Sequence, residues 1–175
     1  CCGRDRNDAN QFARSFGWRD VETDWEKVIG RSDVDAVFIC TPTANHAPIA
    51  VAALRARKHV FCEKPLARDS GEGAPMLKAA RAAGVCHVVG FNYRRLPAIA
   101  LAKQWIVEGR LGKIRDFHAM YLQDWSNSPD ERFNWRHGLA DAGPGEQSGH
   151  IVDLARYLVG QIESVTGISE TVIGS

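Results

Sequence analysis

Apolar residues come in short continuous bursts through the first half of the chain and in alternation with polar ones through part of the second. The bursts are Ala36-Val37-Phe38-Ile39-Cys40, His59-Val60-Phe61-Cys62 and His87-Val88-Val89-Gly90-Phe91. Partly β-branched runs of this length suit strands covered on both faces. Between them lie an Ala-rich helical stretch from Ala47 to Ala56 and a second helix through Met76-Leu77-Lys78-Ala79-Ala80-Arg81. Buried strands alternating with helices predict βαβ units with right-handed crossovers on a parallel sheet. Ahead of them, Asn7 to Phe16 carries polar capping candidates, apolar Phe12, Ala13 and Phe16, and Gly17 as a stop, the pattern of a short helix. Thr23 or Asp24 can cap a helix through Trp25, Val28 and Ile29 that ends at Gly30. Gly71, Gly73 and Pro75 weaken the first turns of the helix before the third burst and leave its start open.

Beyond Asn92 the texture changes. Ile99 to Gly109 predicts an amphipathic helix, Lys113 to Trp125 alternates as a long strand with one wet face would, and Asn127 to Gly149 is polar and rich in Gly and Pro. A last helix is expected over Ile151 to Val159 and a strand over Ser164 to Ile173. The fold class is therefore α/β, with a parallel sheet in the first half and, beyond Asn92, a sheet that has one face wet or forming a site.

Composition narrows the function classes. The 175 residues are 45% hydrophobic and 25% charged, enough to bury a core. Twenty-two Lys and Arg against 21 Asp and Glu give a formal charge of +1, with no excess field for a phosphate backbone or an anionic membrane surface. No apolar run approaches the roughly 20 residues of a spanning helix, and the first residues lack the apolar stretch of a signal peptide, so a cytoplasmic protein without nucleic-acid or membrane partners is expected. The five cysteines form no C-x-x-C pair, and Cys40, Cys62 and Cys86 lie in strand-like runs, which predicts reduced, buried thiols. His59, His87, His118 and His137 have no metal-ligand spacing, and no metal is assigned.

Ligands of an open parallel sheet bind beyond the carboxyl ends of its strands. Three segments there carry chemistry: Thr41-Pro42-Thr43-Ala44-Asn45-His46, Glu63-Lys64-Pro65, and Asn92-Tyr93-Arg94-Arg95. Gly143-Pro144-Gly145 with Gly149 imitates a dinucleotide fingerprint, but no strand precedes it, so it reads as a turn into the last helix.

These segments, with Lys58 to Ala67, Gly90-Phe91-Asn92-Tyr93-Arg94, Gly109 to Ile114, Asn134-Trp135-Arg136 and His150-Ile151-Val152-Asp153, resemble the glucose-fructose oxidoreductase and inositol dehydrogenase family (Gfo/Idh/MocA). The resemblance runs over essentially the whole chain, and it implies a partial Rossmann-type parallel sheet over residues 1–94, an incomplete NAD(P)-binding domain, then the start of an α+β substrate and oligomerisation domain with an open mixed sheet over 95–175. It implies hydride transfer between NAD or NADP and a sugar, inositol or related polyol hydroxyl carbon. It also implies a fragment: the first strand and its Gly-rich pyrophosphate turn are expected ahead of Cys1, and a homo-oligomer is implied for the full-length protein.

In the resemblance, Gly3, Arg4, Thr41, Pro42, Asn45, His46, Glu63 and Lys64 would hold the cofactor. Gly3 stands where an acid usually holds the adenosine ribose, and Arg4 follows it, so the reading leans towards NADP. Lys64 would stabilise charge on the reacting oxygen and His150 would act as general base. The family's Asp four residues before that His, a spacing that puts both on one helix face, is replaced by Glu146 or else lost in a short deletion. Tyr93, Arg94, Asp124, Trp125 and Asp153 are substrate-contact candidates. The altered segment around Glu146 keeps open an alternative, a non-catalytic ligand-binding or scaffold relative whose active-site helix has decayed; a third is an imine or biliverdin reductase relative.

Overall fold

A computed structural model describes residues 1–123, 136, 138, 142, 146, 148–168 and 170, and it divides into two compact units, Cys1–Gly90 and Phe91–Ser175. In the first unit the elements run α1 (Arg6–Phe16), α2 (Trp25–Gly30), β1 (Ala36–Ile39), α3 (His46–Arg55), β2 (His59–Cys62), α4 (Ser70–Ala83) and β3 (His87–Val89). The three strands form a parallel sheet in the order β1-β2-β3, with Ile39 opposite Cys62 and Cys62 opposite Val89. The predicted alternation of strand and helix is thus the observed one.

Local chemistry accounts for the helix ends. Asp5 caps α1, its carboxylate accepting from Asn7 N at 2.7 Å and Asp8 N at 2.9 Å, and Gly17 closes it at φ 72°, where a side chain would be strained. Asp24, rather than Thr23, caps α2. The start of α4 is settled at Ser70 despite Gly71, Gly73 and Pro75. Asp69 accepts from Glu72 N at 3.0 Å, while the Glu72 carboxylate reaches back to Arg68 N at 3.0 Å and pairs with its guanidinium.

The core lies between the sheet and α3 and α4: Ile39, Val60 and Cys62 from the strands, Ile49, Ala50, Ala53 and Leu54 from α3, Met76, Ala80 and Ala83 from α4, and Ile29 from α2. Ala50 and Ala53 are buried almost completely, small enough for α3 to lie close on its neighbours. The other face, where Phe38 stacks on Phe61 at 5.1 Å, is open: Phe38 is 69% and Val88 53% exposed. The expectation of strands covered on both faces is therefore met on one face only among the described residues. Of the cysteines expected to be buried, only Cys62 is; Cys40 and Cys86 flank their strands and are exposed. At the chain start, Cys2 makes an isolated parallel bridge to Glu22.

The second unit contains α5 (Pro97–Val107) and α6 (Gly149–Leu158), preceded by a short 3₁₀ turn at Asn92–Arg95. The strands expected over Lys113 to Trp125 and Ser164 to Ile173 do not form ladders in their described parts, 113–123, 164–168 and 170. Alternation records only that two faces differ. A strand also needs a neighbour to pair its N–H and C=O groups, and the apolar face here, with Met120 and Leu122, is exposed. The rest of both segments lies outside the described residues.

Candidate active site

In the first unit the chemistry sits where the strands end. Register carries one residue beyond β2 and β3: Glu63 N donates to Ile39 O at 2.9 Å and Gly90 N to Cys62 O at 2.7 Å. Gly90 leaves room for the Glu63 carboxylate, since a Cβ at position 90 would stand 3.0 Å from it. That carboxylate turns back to accept from Lys64 N at 3.2 Å. Lys64 is half-buried and joined to Pro65 by a cis peptide. After β1, the hydroxyls of Thr41 and Thr43 are buried and meet no hydrogen-bond partner among the described residues. Pro42 leads into the 3₁₀ turn Thr43–Asn45, and the Asn45 side chain does not cap α3.

His46, expected to touch the cofactor, is 1% exposed. Its Nδ1 lies 2.8 Å from Pro65 O and its Nε2 2.8 Å from Thr41 O. The ring ties the loop after β1 to the loop after β2, and both nitrogens face main-chain carbonyls. Burial first, then the Glu63 carboxylate and the Cys40 thiol, pushes the Cys62 thiol up to about 12; burial and Glu63 also raise Cys40. Neither is an activated nucleophile.

Gly3, Arg4, Asp5, Asp8 and Ala9 line a surface pocket of about 400 Å³. Gly3 faces the side chain of Ala9, where a Cβ would come within 3.2 Å. Gly3 beside the N-terminus of α1 and the two orphan hydroxyls after β1 are groups that fit contacts to a dinucleotide.

The second unit gathers its polar groups around α6. His150 and Asp153, three residues apart, share a buried face and are each 7% exposed. Tyr93 stacks on the His150 ring at 4.1 Å and 13°, while Tyr121 and Phe91 meet it edge-on at 6.0 and 6.3 Å. The Tyr93 and Tyr121 hydroxyls are 3.0 Å apart, and the Gln123 amide donates to the Tyr121 oxygen at 2.9 Å. The Tyr93 bond, then burial, raises the Tyr121 hydroxyl above the ordinary phenol range, so it stays protonated.

Arg94 and Asp153, both expected at the substrate, bind each other: Nε to Oδ2 at 2.8 Å and an Nη to Oδ1 at 2.5 Å. That pairing, opposed by burial, raises the Arg94 guanidinium. Glu146 is buried, with Arg136 Nε 3.5 Å from its carboxylate. It lies in a turn ahead of α6, not on the helix with His150 as the four-residue spacing implied. Gly149 at the helix start and the glycines before it give little helix propensity to extend α6 backwards. Asp124 and Trp125 lie outside the described residues.

Tyr121 and Phe91 were not singled out by sequence. The usable signal for Tyr121 was its place in the alternating stretch, on the face opposite Met120 and Leu122. Among the described residues no group of His, Cys, Asp and Glu could hold a metal, and no helix is long and apolar enough to cross a membrane.

Comparison with known proteins agrees with this layout. Residues 1–91 match the oxidoreductase family, NAD-binding Rossmann fold, and residues 99–175 match the GFO/IDH/MocA C-terminal domain. A levoglucosan dehydrogenase of Pseudarthrobacter phenanthrenivorans is 44% identical over 93% of this chain and 43% of its own length. A scyllo-inositol 2-dehydrogenase (NAD(+)) of Bacillus subtilis is 34% identical over 91% of this chain and 45% of its own. A solved levoglucosan dehydrogenase in complex with NADH and levoglucosan superposes with a TM-score of 0.89 at 44% identity, covering 91% of this chain and 44% of the other. The chain spans less than half the length of these relatives.

Proposed function

The chain belongs to the Gfo/Idh/MocA oxidoreductase family, and from that we propose that the protein is a nicotinamide-dependent dehydrogenase acting on a hydroxyl of a sugar or polyol, with levoglucosan the first substrate to try. The observation that carries the reading is the 44% identity to levoglucosan dehydrogenase over 93% of the chain, with Lys64 and His150 both present.

Gly3 and Arg4 would hold the adenosine end of the dinucleotide, and Thr41, Pro42, Asn45 and the Glu63-Lys64 main chain would line its path, with His46 keeping the two loops in place. When bound, the dinucleotide supplies the hydride acceptor. Lys64 places an ammonium at the reacting oxygen and stabilises the negative charge that develops as the proton leaves. His150 takes that proton on an imidazole nitrogen as general base. The lean towards NADP that Arg4 suggests is offset by Asp5 and Asp8 on the same pocket. The expected discrimination between NADH and NADPH is small, and Arg4→Ala should weaken NADPH more than NADH.

The test is reduction of NAD or NADP with levoglucosan, inositols and other polyols, alongside dinucleotide binding. Lys64→Ala and His150→Ala should each cost on the order of 100-fold or more in kcat. Failure of a folded form extended through the segment expected ahead of Cys1 to bind either dinucleotide would sink the reading. It would favour a non-catalytic ligand-binding relative, a reading supported by the place of Glu146, in a turn ahead of α6 and near Arg136.

A further inference from the structure

Two consecutive residues of the turn Asn92–Arg95 hold the helix that carries His150, each in a different way. Tyr93 lies parallel to the imidazole at 4.1 Å and 13°. Its hydroxyl is taken up by Tyr121, whose oxygen also accepts from Gln123, so the ring is fixed at its far end as well as by its face. Arg94 grips α6 one turn further along through both oxygens of Asp153. Its guanidinium also lies 5.0 Å over the ring of Tyr157, one turn beyond Asp153. A bidentate pair fixes both distance and orientation, where a single bond would leave rotation free. Phe91 and Tyr121 close the edges of the imidazole.

We propose that Tyr93 is a positioning residue for His150: its ring sets the plane of the imidazole, while Arg94, through Asp153, sets the axial and rotational place of the helix. Tyr93 and Arg94 then act through His150 and not on the substrate. Proton transfer to an imidazole depends on its direction towards the hydroxyl, and a misplacement of about 1 Å can cost on the order of 100-fold. Free rotation about the Cβ–Cγ bond would produce such a misplacement, because this terminal torsion is broad unless packing narrows it. The proposal rests on His150 being the base of the proposed dehydrogenase.

The experiment compares Tyr93→Leu and Tyr93→Met, which remove the ring, with Tyr93→Phe, which keeps it and loses only the hydroxyl. Two readouts are used on protein shown to be folded by circular dichroism. The first is the His150 Cε1–H NMR signal, assigned with His150→Gln; a ring stacked at this distance shields it. Tyr93→Leu and Tyr93→Met should move the signal downfield to the position of an unstacked histidine, and Tyr93→Phe should restore it. The second is steady-state kinetics with levoglucosan. The ring-less variants should lose about 10- to 100-fold in kcat with KM within about threefold, and Tyr93→Phe should recover most of kcat.

An unmoved His150 signal in both ring-less variants overturns the proposal. So does a fall in Tyr93→Phe as deep as in Tyr93→Leu, or a loss confined to KM, which would return Tyr93 to substrate contact. Absence of hydride transfer by the unaltered protein counts against the dehydrogenase reading alone, and the NMR comparison still decides whether Tyr93 holds the ring.

Discussion

The unit Cys1–Gly90 and the unit Phe91–Ser175 place their candidate functional groups by different means. In the first, position comes from the main chain. Glu63 and Gly90 continue the ladders of β2 and β3, and His46 is pinned between two carbonyl oxygens. In the second, position comes from pairs of side chains: Tyr93 on His150, Arg94 on Asp153, Arg136 near Glu146. Main-chain placement tolerates most changes of side chain but depends on a filled core that keeps the strands in register. Side-chain placement fails with a single substitution, and the fold around it need not follow. Lesions in the first unit should therefore appear mainly as lost stability, and lesions around His150 mainly as lost function.

The largest expected effect lies in the core of the first unit. Ile39, 2% exposed in the strand that Glu63 hangs from, should cost about 2–5 kcal/mol when changed to Ala. Urea denaturation followed by far-UV circular dichroism measures this, and Phe38→Ala on the open face of the same strand should cost far less. A small Ile39→Ala effect would break the contrast, since the register would then not depend on that packing.

Next is Asp153→Ala. It leaves Arg94 without its bidentate acceptor, and hydrogen bonds to charged groups of this kind are worth about 1.5–3 kcal/mol. Because the Arg94 side chain is 42% exposed, water compensates part of the loss and the low end of that range is expected. Kinetics on the same variant should show a fall in kcat out of proportion to the stability change; equal falls at Asp153 and at a remote core site would erase the distinction between the units.

Smaller again is Asp69→Ala, which removes the cap of α4 and should cost about 1 kcal/mol, readable in the same denaturation series. Smallest is a pH effect at Glu72, whose carboxyl is held below its usual range by the hydrogen bonds from the Arg68 guanidinium and amide, against a smaller opposing effect of burial. A depressed carboxylate pKa adds stability that is fully present above the unfolded value and is lost as pH falls through the folded one. Stability should drop slightly more on acidification in the unaltered protein than in Glu72→Gln, and identical acid profiles would remove Glu72 from the account of how α4 starts.

The elements of the first unit were legible because their causes are local. A continuous apolar run between helices reports a strand of a parallel sheet, and Gly17 and Asp24 were readable as helix ends by their own conformational or capping preferences, whereas the caps Asp5, Asp69 and Gly84 came only with the structure. The catalytic candidates Lys64 and His150 were legible through motifs. What was misread had a non-local cause. Alternation over residues 113–123 indicated a strand, but pairing depends on a neighbouring strand that periodicity does not specify. Glu146 sat at helical spacing from His150, yet the helix begins only at Gly149.

The sequence by itself determined the order of strands and helices in the first unit, the stop of α1 at Gly17, the family, and the identity of the candidate acid–base groups, because each is written in residues close together in the chain. Only the tertiary structure decided what those groups touch. Arg94 and Asp153 are 59 residues apart and Tyr93 and Tyr121 are 28 apart, so their pairing depends on how the chain folds back on itself. A buried charge or hydroxyl takes whichever partner that folding brings within hydrogen-bond distance, and no pattern along the chain records the choice.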